Sequence, residues 1–324
     1  MDPLSDVLSL LKPHSYKAGG FDLAGEWSIR FGRHEGIKCY ALVSGQCWLA
    51  VEGVPNPVRL QTGDCFLLPR GLPFRLASDL AVPPVDGRTM FATLLIGGIA
   101  TWNGGGECFG VGGHFALSGS HARILLGELP PIVHIRSESD KAELRWSLER
   151  MRQELREQRP GASVVAQQLA TMMLVQALRL HLTDGLRGRV GWLFALADRQ
   201  MNVAITSMHD DPAHRWTLQE LAERVGMSRS IFALKFKATV GTSPMEYLTR
   251  WRMLLAADKL TNSDDPISII ARSLGYESES AFSKAFRRIM DGSPRQYRRS
   301  QKPASPAYIE GEAARADQLE LVSA

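Results

Sequence analysis

The sequence predicts an α+β protein of two domains: an amino-terminal β-barrel with a helical connector, and a carboxyl-terminal domain made only of helices. Its 324 residues are enough for about two domains of ordinary size. Short apolar and β-branched runs, broken by Gly and Pro, fill the first part, and helical periodicity replaces them from residue 139 onward. The expected boundaries are 1–135 for the barrel, 139–190 for the connector, 195–300 for the helical domain and 301–324 for a flexible tail.

Composition narrows the classes of function. Apolar residues make up 44% of the chain and charged residues 22%, which excludes a disordered, collagen-like or coiled-coil protein. The longest apolar run, Met90–Ala100, is shorter than the roughly 20 residues of a membrane span, and the acidic amino terminus does not resemble a secretion signal. The chain has four cysteines and no CxxC pair, which is typical of a protein from a reducing compartment; they are Cys39, Cys47, Cys65 and Cys108. We therefore expect a cytoplasmic protein with no membrane partner.

Charge is distributed unevenly along the chain. From Arg215 to Arg299 there are 15 Lys and Arg against nine Asp and Glu, a net +6, so the remainder carries −2 of the overall +4. A basic block of this kind is typical of a segment that binds a polyanion. A merely solvated basic face explains so small an excess equally well.

The strands of the barrel are predicted from short runs rich in apolar, aromatic and β-branched residues. Ser44-Gly45 is expected to be the turn of a hairpin between the first two runs. The predicted strands are Cys39–Val43, Cys47–Glu52, Asp64–Leu68, Phe74–Leu76, Thr89–Leu95, Phe115–Leu117 and Ile132–Ile135. Many short strands with regular breakers are typical of a sandwich or a barrel.

Two amphipathic helices are predicted for the connector, Ser139–Gln158 and Val164–Leu182, with Arg159-Pro160-Gly161 as the turn between them. Their apolar stripes predict an antiparallel helical hairpin. Two interpretations remain open, since the pair could simply cover the barrel or could also form a dimer contact.

The strongest signal is an internal repeat in the helical domain. The pattern Ala222-x3-Gly226, Ser230-x-Phe232-x3-Phe236 and Ser243-Pro244-x2-Tyr247 recurs as Ala271-x3-Gly275, Ser280-x-Phe282-x3-Phe286 and Ser293-Pro294-x2-Tyr297. Each copy has the parts of a helix-turn-helix: a small Ala where helices cross, a Gly that can take positive φ, a Ser cap and a Phe pair facing the core. The opposite face of each second helix is then available to a DNA groove.

One helix, Pro244–Leu260, is expected to join the two copies. Its 17 residues make it about 25 Å long, and Pro is favoured in the first turn. This length suits two recognition helices in successive major grooves, about 34 Å apart on one side of the duplex. Trp251 of this helix is expected to be a core residue.

These motifs resemble the AraC/XylS-type transcriptional regulators over residues 190–300. Gly241–Leu248 with Trp251–Met253 and Ala256 is similar to the linker helix of that family, and Gly275–Ser278 with Ala281, Phe282 and Phe286 is similar to its second motif. The resemblance implies a bacterial transcription regulator that binds duplex DNA and so associates with the nucleoid. Two departures occur: Asp291–Pro294 shifts the Gly by one position relative to Gly241–Pro244, and Leu234 replaces a basic residue, which favours contact with a thymine methyl.

Position on the second helix of each copy predicts the DNA contacts. Residues at the ends and flanks are expected to meet phosphates: Ser228, Arg229, Lys237, Ser278, Arg287 and Arg288. Residues on the open face are expected to meet base edges: Ser230, Ala233, Leu234, Glu279, Ser280, Ser283 and Lys284. Lys284 is suited to donate to guanine O6 and N7, and Glu279 to accept from cytosine N4.

The amino-terminal half resembles the cupin-like effector domain that precedes the DNA-binding part in many regulators of this type. Gly63-x5-Pro69-x-Gly71 matches half of the second cupin motif, but Phe74 stands where that motif has a His ligand, and Lys38–Tyr40 supplies no ligand pair. We therefore expect no metal, no other cofactor and no catalysis. Three histidines are expected to be structural: His114, His121 and His134. The alternative is a metal-dependent cupin enzyme fused to a helical interaction module.

The mouth of a small barrel is a natural site for a small ligand. The residues expected to line it are Trp27, Tyr40, Trp48, Phe66 and Phe74. The cysteines are expected in the core, with a redox pair of Cys39 and Cys47 on neighbouring strands as the sharper alternative. The expected partners are promoter double-stranded DNA, an unidentified small-molecule effector, RNA polymerase and a second copy of the chain.

Overall fold

A computed structural model describes residues 2–11, 14–88, 95–96, 98–116, 129–184 and 191–301. The chain divides into two compact units, of which the first holds Met1–Asp210 and Thr217–Pro244 and the second holds Asp211–Trp216 and Met245–Ala324. Most of the predicted strand at 89–95, His121 and residues 302–324 of the predicted tail lie outside the described residues. Among the described residues, no helix combines the length and the hydropathy that a membrane span requires.

The first unit is β-rich. Its described elements up to residue 135 are α1 (Pro3–Leu11), β1 (His14–Leu23), β2 (Ser28–Phe31), β3 (Ile37–Ser44), β4 (Gln46–Val51), β5 (Val58–Gln61), β6 (Cys65–Leu68), β7 (Phe74–Ala77), β8 (Val85–Asp86), β9 (Leu95–Ile96), β10 (Ile99–Trp102), β11 (Cys108–Ala116) and β12 (Val133–Ile135). Seven strands form one sheet, in the order β12-β6-β3-β11-β1-β10-β9, and five form a second, in the order β5-β4-β7-β2-β8. One core joins the two sheets, since Leu42 and Phe66 of the first pack with Leu49 and Leu76 of the second.

The turn at Ser44-Gly45 does not form the predicted hairpin. Strand β3 pairs with β6 and β11, whereas β4 pairs with β5 and β7, so the two consecutive strands lie in different sheets. Gly45 has φ 84°, and a Cβ at this position would lie 2.1 Å from the carbonyl oxygen of Glu107. The left-handed turn thus carries the chain from one sheet to the other, which local sequence alone does not distinguish from a tight hairpin.

Two long helices, α2 (Glu138–Glu157) and α3 (Ala162–Asp184), pack on the seven-stranded sheet and on each other. A buried polar cluster ties α2 to the barrel. Lys141 Nζ lies 2.9 Å from Asp64 Oδ1, and His134 Nε2 of β12 lies 3.0 Å from Asp64 Oδ2. Burial opposes the charge of Asp64, but the hydrogen bonds from His134 and Lys141 outweigh it and lower the pKa of that carboxyl. The helices therefore cover the barrel, as both interpretations above require.

Four shorter helices complete the first unit: α4 (Trp192–Ala195), α5 (Arg199–Asp210), α6 (Leu218–Arg224) and α7 (Arg229–Val240). The amino-terminal α1 packs against α5, where Asp6 Oδ2 lies 3.2 Å from Nδ1 of the buried His209. Leu4, Val7 and Leu10 of α1 are buried. Residues far apart in sequence thus share one compact unit.

The described helices of the second unit are α8 (Pro244–Asn262), whose first residue belongs to the first unit, α9 (Ile267–Ser273), α10 (Glu279–Met290) and α11 (Pro294–Gln301). Its core contains Met253 and Leu260 of α8, Ile270 of α9, Phe286 of α10 and Tyr297 of α11. The predicted linker helix Pro244–Leu260 corresponds to α8, which extends two residues further.

Candidate nucleic-acid interface

The repeated motif forms two helix pairs, α6 with α7 in the first unit and α9 with α10 in the second. The turn of each pair contains the predicted left-handed glycine, Gly226 with φ 69° and Gly275 with φ 80°. The second helix of each pair then starts at a serine cap. Ser228 Oγ accepts from the backbone N–H of Ile231 at 3.4 Å, and Ser278 Oγ accepts from that of Ala281 at 3.2 Å.

The first helices of the two pairs begin differently. Thr217 and Glu220 form a capping box at the start of α6, with hydrogen bonds of 3.1 Å and 3.0 Å. Pro266 occupies the equivalent position before α9 and makes no side-chain cap. Ile269 stands where the first pair has Glu220, so the first turn of α9 holds no carboxylate that could complete a capping box.

The second helices, α7 and α10, are named the recognition helices from here on. Residues 228–239 and 278–289 show the same order of exposed, half-buried and buried side chains at every position. Phe232, Phe236, Phe282 and Phe286 are each 0% exposed, and the rings of each pair lie 5.6 Å and 5.8 Å apart. The buried phenylalanines fix which face of each helix points inward, so both helices present the same face to solvent.

The predicted contact residues lie on that open face. Ala233 and Ser283 are half-buried, and the following eleven are exposed: Ser228, Arg229, Ser230, Leu234, Lys237, Ser278, Glu279, Ser280, Lys284, Arg287 and Arg288. Sequence reasoning missed Ile231, which is 59% exposed and lies one helical turn before Leu234, itself 72% exposed. The spacing of three residues between two large apolar side chains was the available signal.

Cations on the open face of the recognition helices differ in their ion pairs from Lys235, which is half-buried on α7. Lys235 Nζ lies 2.8 Å from Asp198 Oδ2 and donates to Gln200 Oε1 at 2.8 Å, so its charge is compensated within the first unit. Among the described residues, no ion pair involves Arg229, Lys237, Lys284 or Arg287. Uncompensated cations on an exposed helix face attract a polyanion.

The segment 211–216 braces the turn of the second motif. Arg252 of α8 donates to the carbonyl oxygens of Pro212 at 2.6 Å and His214 at 2.7 Å, and its guanidinium lies 5.7 Å from the ring centre of Tyr276. Burial raises the pKa of the Tyr276 hydroxyl. Gly275 faces the carbonyl oxygen of Ala213, which would lie 2.3 Å from a Cβ. Contacts of Gly275 with Ala213 and of Tyr276 with Arg252 therefore fix the turn that precedes α10.

In the first unit the structure gathers most of the predicted effector-binding aromatics but not all of them. Trp27, Phe66 and Phe74 are buried in the core between the sheets, and Tyr40 packs against that core. Trp48 lies on the opposite face of β4 from the buried Cys47, and Arg59 lies 5.7 Å from its ring centre. The strand alternation of β4 thus separates Trp48 from the other four.

The cysteines are buried, as expected, but the proposed pair of Cys39 and Cys47 is wrong because β3 and β4 belong to different sheets. Cys39 Sγ lies 4.0 Å from Cys65 Sγ, and Cys47 lies beside Cys108 in the core. Hydrogen bonding to Cys65 and burial raise the pKa of the Cys39 thiol, and the same two causes act on Cys47 through Cys108. Such thiols react slowly because the thiolate is the nucleophile.

Histidines of the barrel bond to protein groups. His134 contacts Asp64, as described above, and His114 Nε2 lies beside the carbonyl oxygen of Glu35. Within the described residues, no group of three or more His, Cys, Asp or Glu side chains is arranged to hold a metal ion.

Comparison with known proteins finds two families that match different parts of this chain. The family described as "Cupin" matches residues 2–183, and that described as "Helix-turn-helix domain" matches residues 221–300. An AraC-like transcription regulator of Streptomyces antibioticus is 43% identical over 304 residues, covering 94% of this chain and 100% of the relative. This chain belongs to the AraC-like transcriptional regulators.

Two further similarities concern the whole chain and the helix-turn-helix part. An AraC-like regulator of Streptomyces lividans is 43% identical over 300 residues, covering 92% of this chain and 98% of the relative. The DNA-binding domain of AdpA, solved in complex with a target DNA, is 28% identical with a TM-score of 0.30, covering 32% of this chain and 95% of that one. The two family matches reported above give this AraC-like chain a cupin domain followed by a helix-turn-helix domain.

Proposed function

We propose that this AraC-like regulator binds promoter DNA with the open faces of α7 and α10, each in a major groove. The observation that carries the proposal is the identical burial pattern of residues 228–239 and 278–289, which exposes the same positions in both recognition helices. A residue exposed on a recognition helix, and free of a competing ion pair, is available to the groove.

The thirteen predicted residues divide into two roles. The cations and serines at the helix ends and flanks contact phosphates, since the exposed N–H groups and guanidinium groups there bind anions. Residues in the middle of the open face contact base edges. Lys284 is suited to guanine and the apolar Leu234 to a thymine methyl, so the two recognition helices read different bases.

A small-molecule effector is proposed for the cupin domain. A cleft of about 690 Å³ opens at one end of the barrel and includes Trp27, Gln61, Ser78, Glu107 and Lys141 in its wall. Its side chains supply several hydrogen-bonding groups, which suits a polar ligand. Lys141 also joins α2 to Asp64 of the barrel, so a ligand in this cleft would act on the helical pair.

The remaining parts of the proposal concern organisation. The barrel at 1–135 senses the effector, the helices at 139–190 transmit it and offer a contact for a second copy, and residues 195–300 bind DNA. RNA polymerase is the expected partner at the promoter, and the cytoplasm is the expected compartment. No catalysis is proposed; stoichiometric Fe, Mn or Zn bound to the purified chain would instead support a metal-dependent cupin enzyme.

The test is selection of bound sequences from genomic fragments by the full chain, followed by affinity measurements on the selected duplex. Lys284→Ala should relax the preference at one base pair by about 1–3 kcal/mol, and Leu234→Ala should relax it at a different base pair. Lys259→Ala, a cation outside the recognition helices, is the matched control and should change neither preference. Absence of duplex binding at low salt, or equal effects of all three variants, would contradict the proposal.

A further inference from the structure

A cleft of about 460 Å³ lies in the second unit, beside the first turn of α10. Its wall is unusually basic for its size, because Arg295, Arg298 and Arg299 of α11 all line it together with Ser268 of α9. Glu279 is the single acid in the wall, and its Oε1 lies 3.9 Å from Arg295 Nη2. Three cations against one carboxylate leave the cleft with an excess of two positive charges. We call it the arginine cleft.

The guanidinium groups of the arginine cleft are only partly satisfied by the protein. Arg298 Nη2 donates to the carbonyl oxygen of Asp265 at 2.6 Å, which fixes the position of its side chain. Arg298 Nε is buried and has no hydrogen-bond partner among the described residues. No ion pair of Arg299 occurs in the described part of the chain. Cations held close together without acids repel one another, and an anion between them removes that repulsion.

The first repeat shows that the fold does not require these arginines. Helices α8 and α11 both start at the repeated Ser-Pro, and the positions of α8 that correspond to Arg295, Arg298 and Arg299 are occupied by Met245, Leu248 and Thr249. Met245 is apolar and exposed, and Leu248 is 1% exposed. An apolar side chain therefore suffices where packing alone is needed, so packing alone does not account for the three arginines of α11.

We propose that the arginine cleft binds one phosphate of the DNA backbone, a site that rests on the DNA binding proposed above and lies outside the recognition helices. Its position identifies the ligand. Glu279 belongs both to the cleft wall and to the open face of α10, so the cleft borders the surface that meets the bases. Arg298, fixed by Asp265, supplies the rigid donor, and Arg295 and Arg299 close on the same phosphate from either side.

The test measures the affinity of the full chain for its selected duplex at several salt concentrations. Arg299→Ala and Arg295→Ala should each weaken binding to target and non-target duplexes by the same factor. The slope of log affinity against log salt should fall by about one in each variant. In the double variant this slope should also fall by about one rather than two, because both arginines bind the same phosphate.

Arg272→Ala is the matched control, since Arg272 is an exposed cation of α9 in the same unit but does not line the cleft. Its slope should equal that of the wild type. If the salt slope of Arg272→Ala fell by the same amount, only the overall positive charge of the unit would be attracting the DNA. If the salt slope of the double variant fell by about two, Arg295 and Arg299 would contact two separate phosphates. Either result overturns the single-phosphate site. Unchanged unfolding temperatures of the variants establish that the comparison concerns binding.

Other results separate this inference from the proposed function. Failure of the wild type to bind any duplex overturns both. Binding by the wild type, with Lys284→Ala relaxing its preference but the cleft variants unchanged, overturns the cleft alone. Stabilisation of the wild type but not of Arg299→Ala by inorganic phosphate, with unchanged DNA affinity, would assign the cleft to a free anion. Unchanged DNA affinity with lost transcription in a reconstituted assay would assign it to a protein partner.

Discussion

The two helix-turn-helix repeats have the same interior and different edges. In both, a left-handed glycine and a serine cap lead into a helix whose two phenylalanines are fully buried. At the edges, the first repeat has a capping box, Arg229 in the first turn of its recognition helix and two exposed apolar side chains. The second has Pro266 without a cap, Glu279 in that first turn and its extra cations on the following helix.

The difference shows which positions the fold constrains. A buried phenylalanine is held by its packing, so a change there costs several kcal/mol, whereas an exposed side chain usually changes stability by less than about 0.5 kcal/mol. Duplicated helices can therefore diverge on their open faces while their cores stay alike. In the proposed DNA complex, one fold used twice would in this way contact two different DNA sequences.

Removal of a core phenylalanine is the strongest test of the equal interiors. Phe232→Ala and Phe282→Ala should each lower the free energy of unfolding by about 3–5 kcal/mol, because each leaves a cavity in a closed core. Ile231→Ala, on the exposed side of the same helix as Phe232, should lower it by less than about 0.5 kcal/mol. Urea denaturation of the full chain measures all three. A small loss in only one of the two Phe variants would show that the interiors are not equivalent.

Acid should destabilise the first repeat's unit through His209 of α5. Burial lowers the pKa of His209 to about 3, below its value of about 6.5 in an unfolded chain. The folded state therefore keeps the ring neutral while the unfolded state takes up a proton, so the stability is complete above pH 6.5 and is lost as the pH falls toward 3. Between pH 7 and pH 4 the free energy of unfolding should fall by at most about 3 kcal/mol, since each pH unit between the two pKa values of His209 contributes about 1.4 kcal/mol. Burial raises the pKa of the neighbouring Asp6, which works in the opposite direction and reduces the net loss.

Denaturation curves of the wild type and His209→Asn at several pH values measure this effect. The variant should have a flatter dependence over the same range, because Asn does not titrate and can still bond to Asp6. The only histidine of the second unit is the exposed His214, so this contribution is specific to the first. Parallel curves for the two proteins would contradict a buried neutral His209.

The difference between the starts of α6 and α9 should have the smallest effect on the free energy of unfolding. Thr217→Ala removes the capping box of α6 and should cost about 1 kcal/mol. Pro266→Ala removes no cap from α9, so we expect a change of less than half that size. Thermal and urea denaturation of the two variants compare the helix starts directly, and equal losses would show that Pro266 stabilises α9 in a way that its backbone contacts do not reveal.

The helical part of the chain was predictable because its signals are local. Gly226, Ser228 and the phenylalanine pair lie within eleven consecutive residues, and the backbone hydrogen bonds of an α-helix join residues only four apart. The side of the recognition helices that faces solvent followed from the buried pair through the helical period. The exposed cations on that side could therefore be named from sequence.

The barrel was less predictable because its pairings join distant segments. The strand β3 pairs with β11, some 70 residues later, and nothing near Gly45 indicates that the chain changes sheet there. The wrong Cys39–Cys47 pair follows from this one feature, whereas the alternation of β4 separates Trp48 from the other predicted aromatics. The arginine cleft was missed for a similar reason, since Arg295–Arg299 meet Ser268 only when α9, α10 and α11 are packed together.

The contact between α1 and α5 has a practical consequence for anyone dissecting this protein. The chain looks divisible near residue 190, yet a fragment starting there would lose the helix that covers α5 and would leave His209 open to water. Residue 190 is thus not a domain boundary at which the chain can be cut without breaking packing contacts.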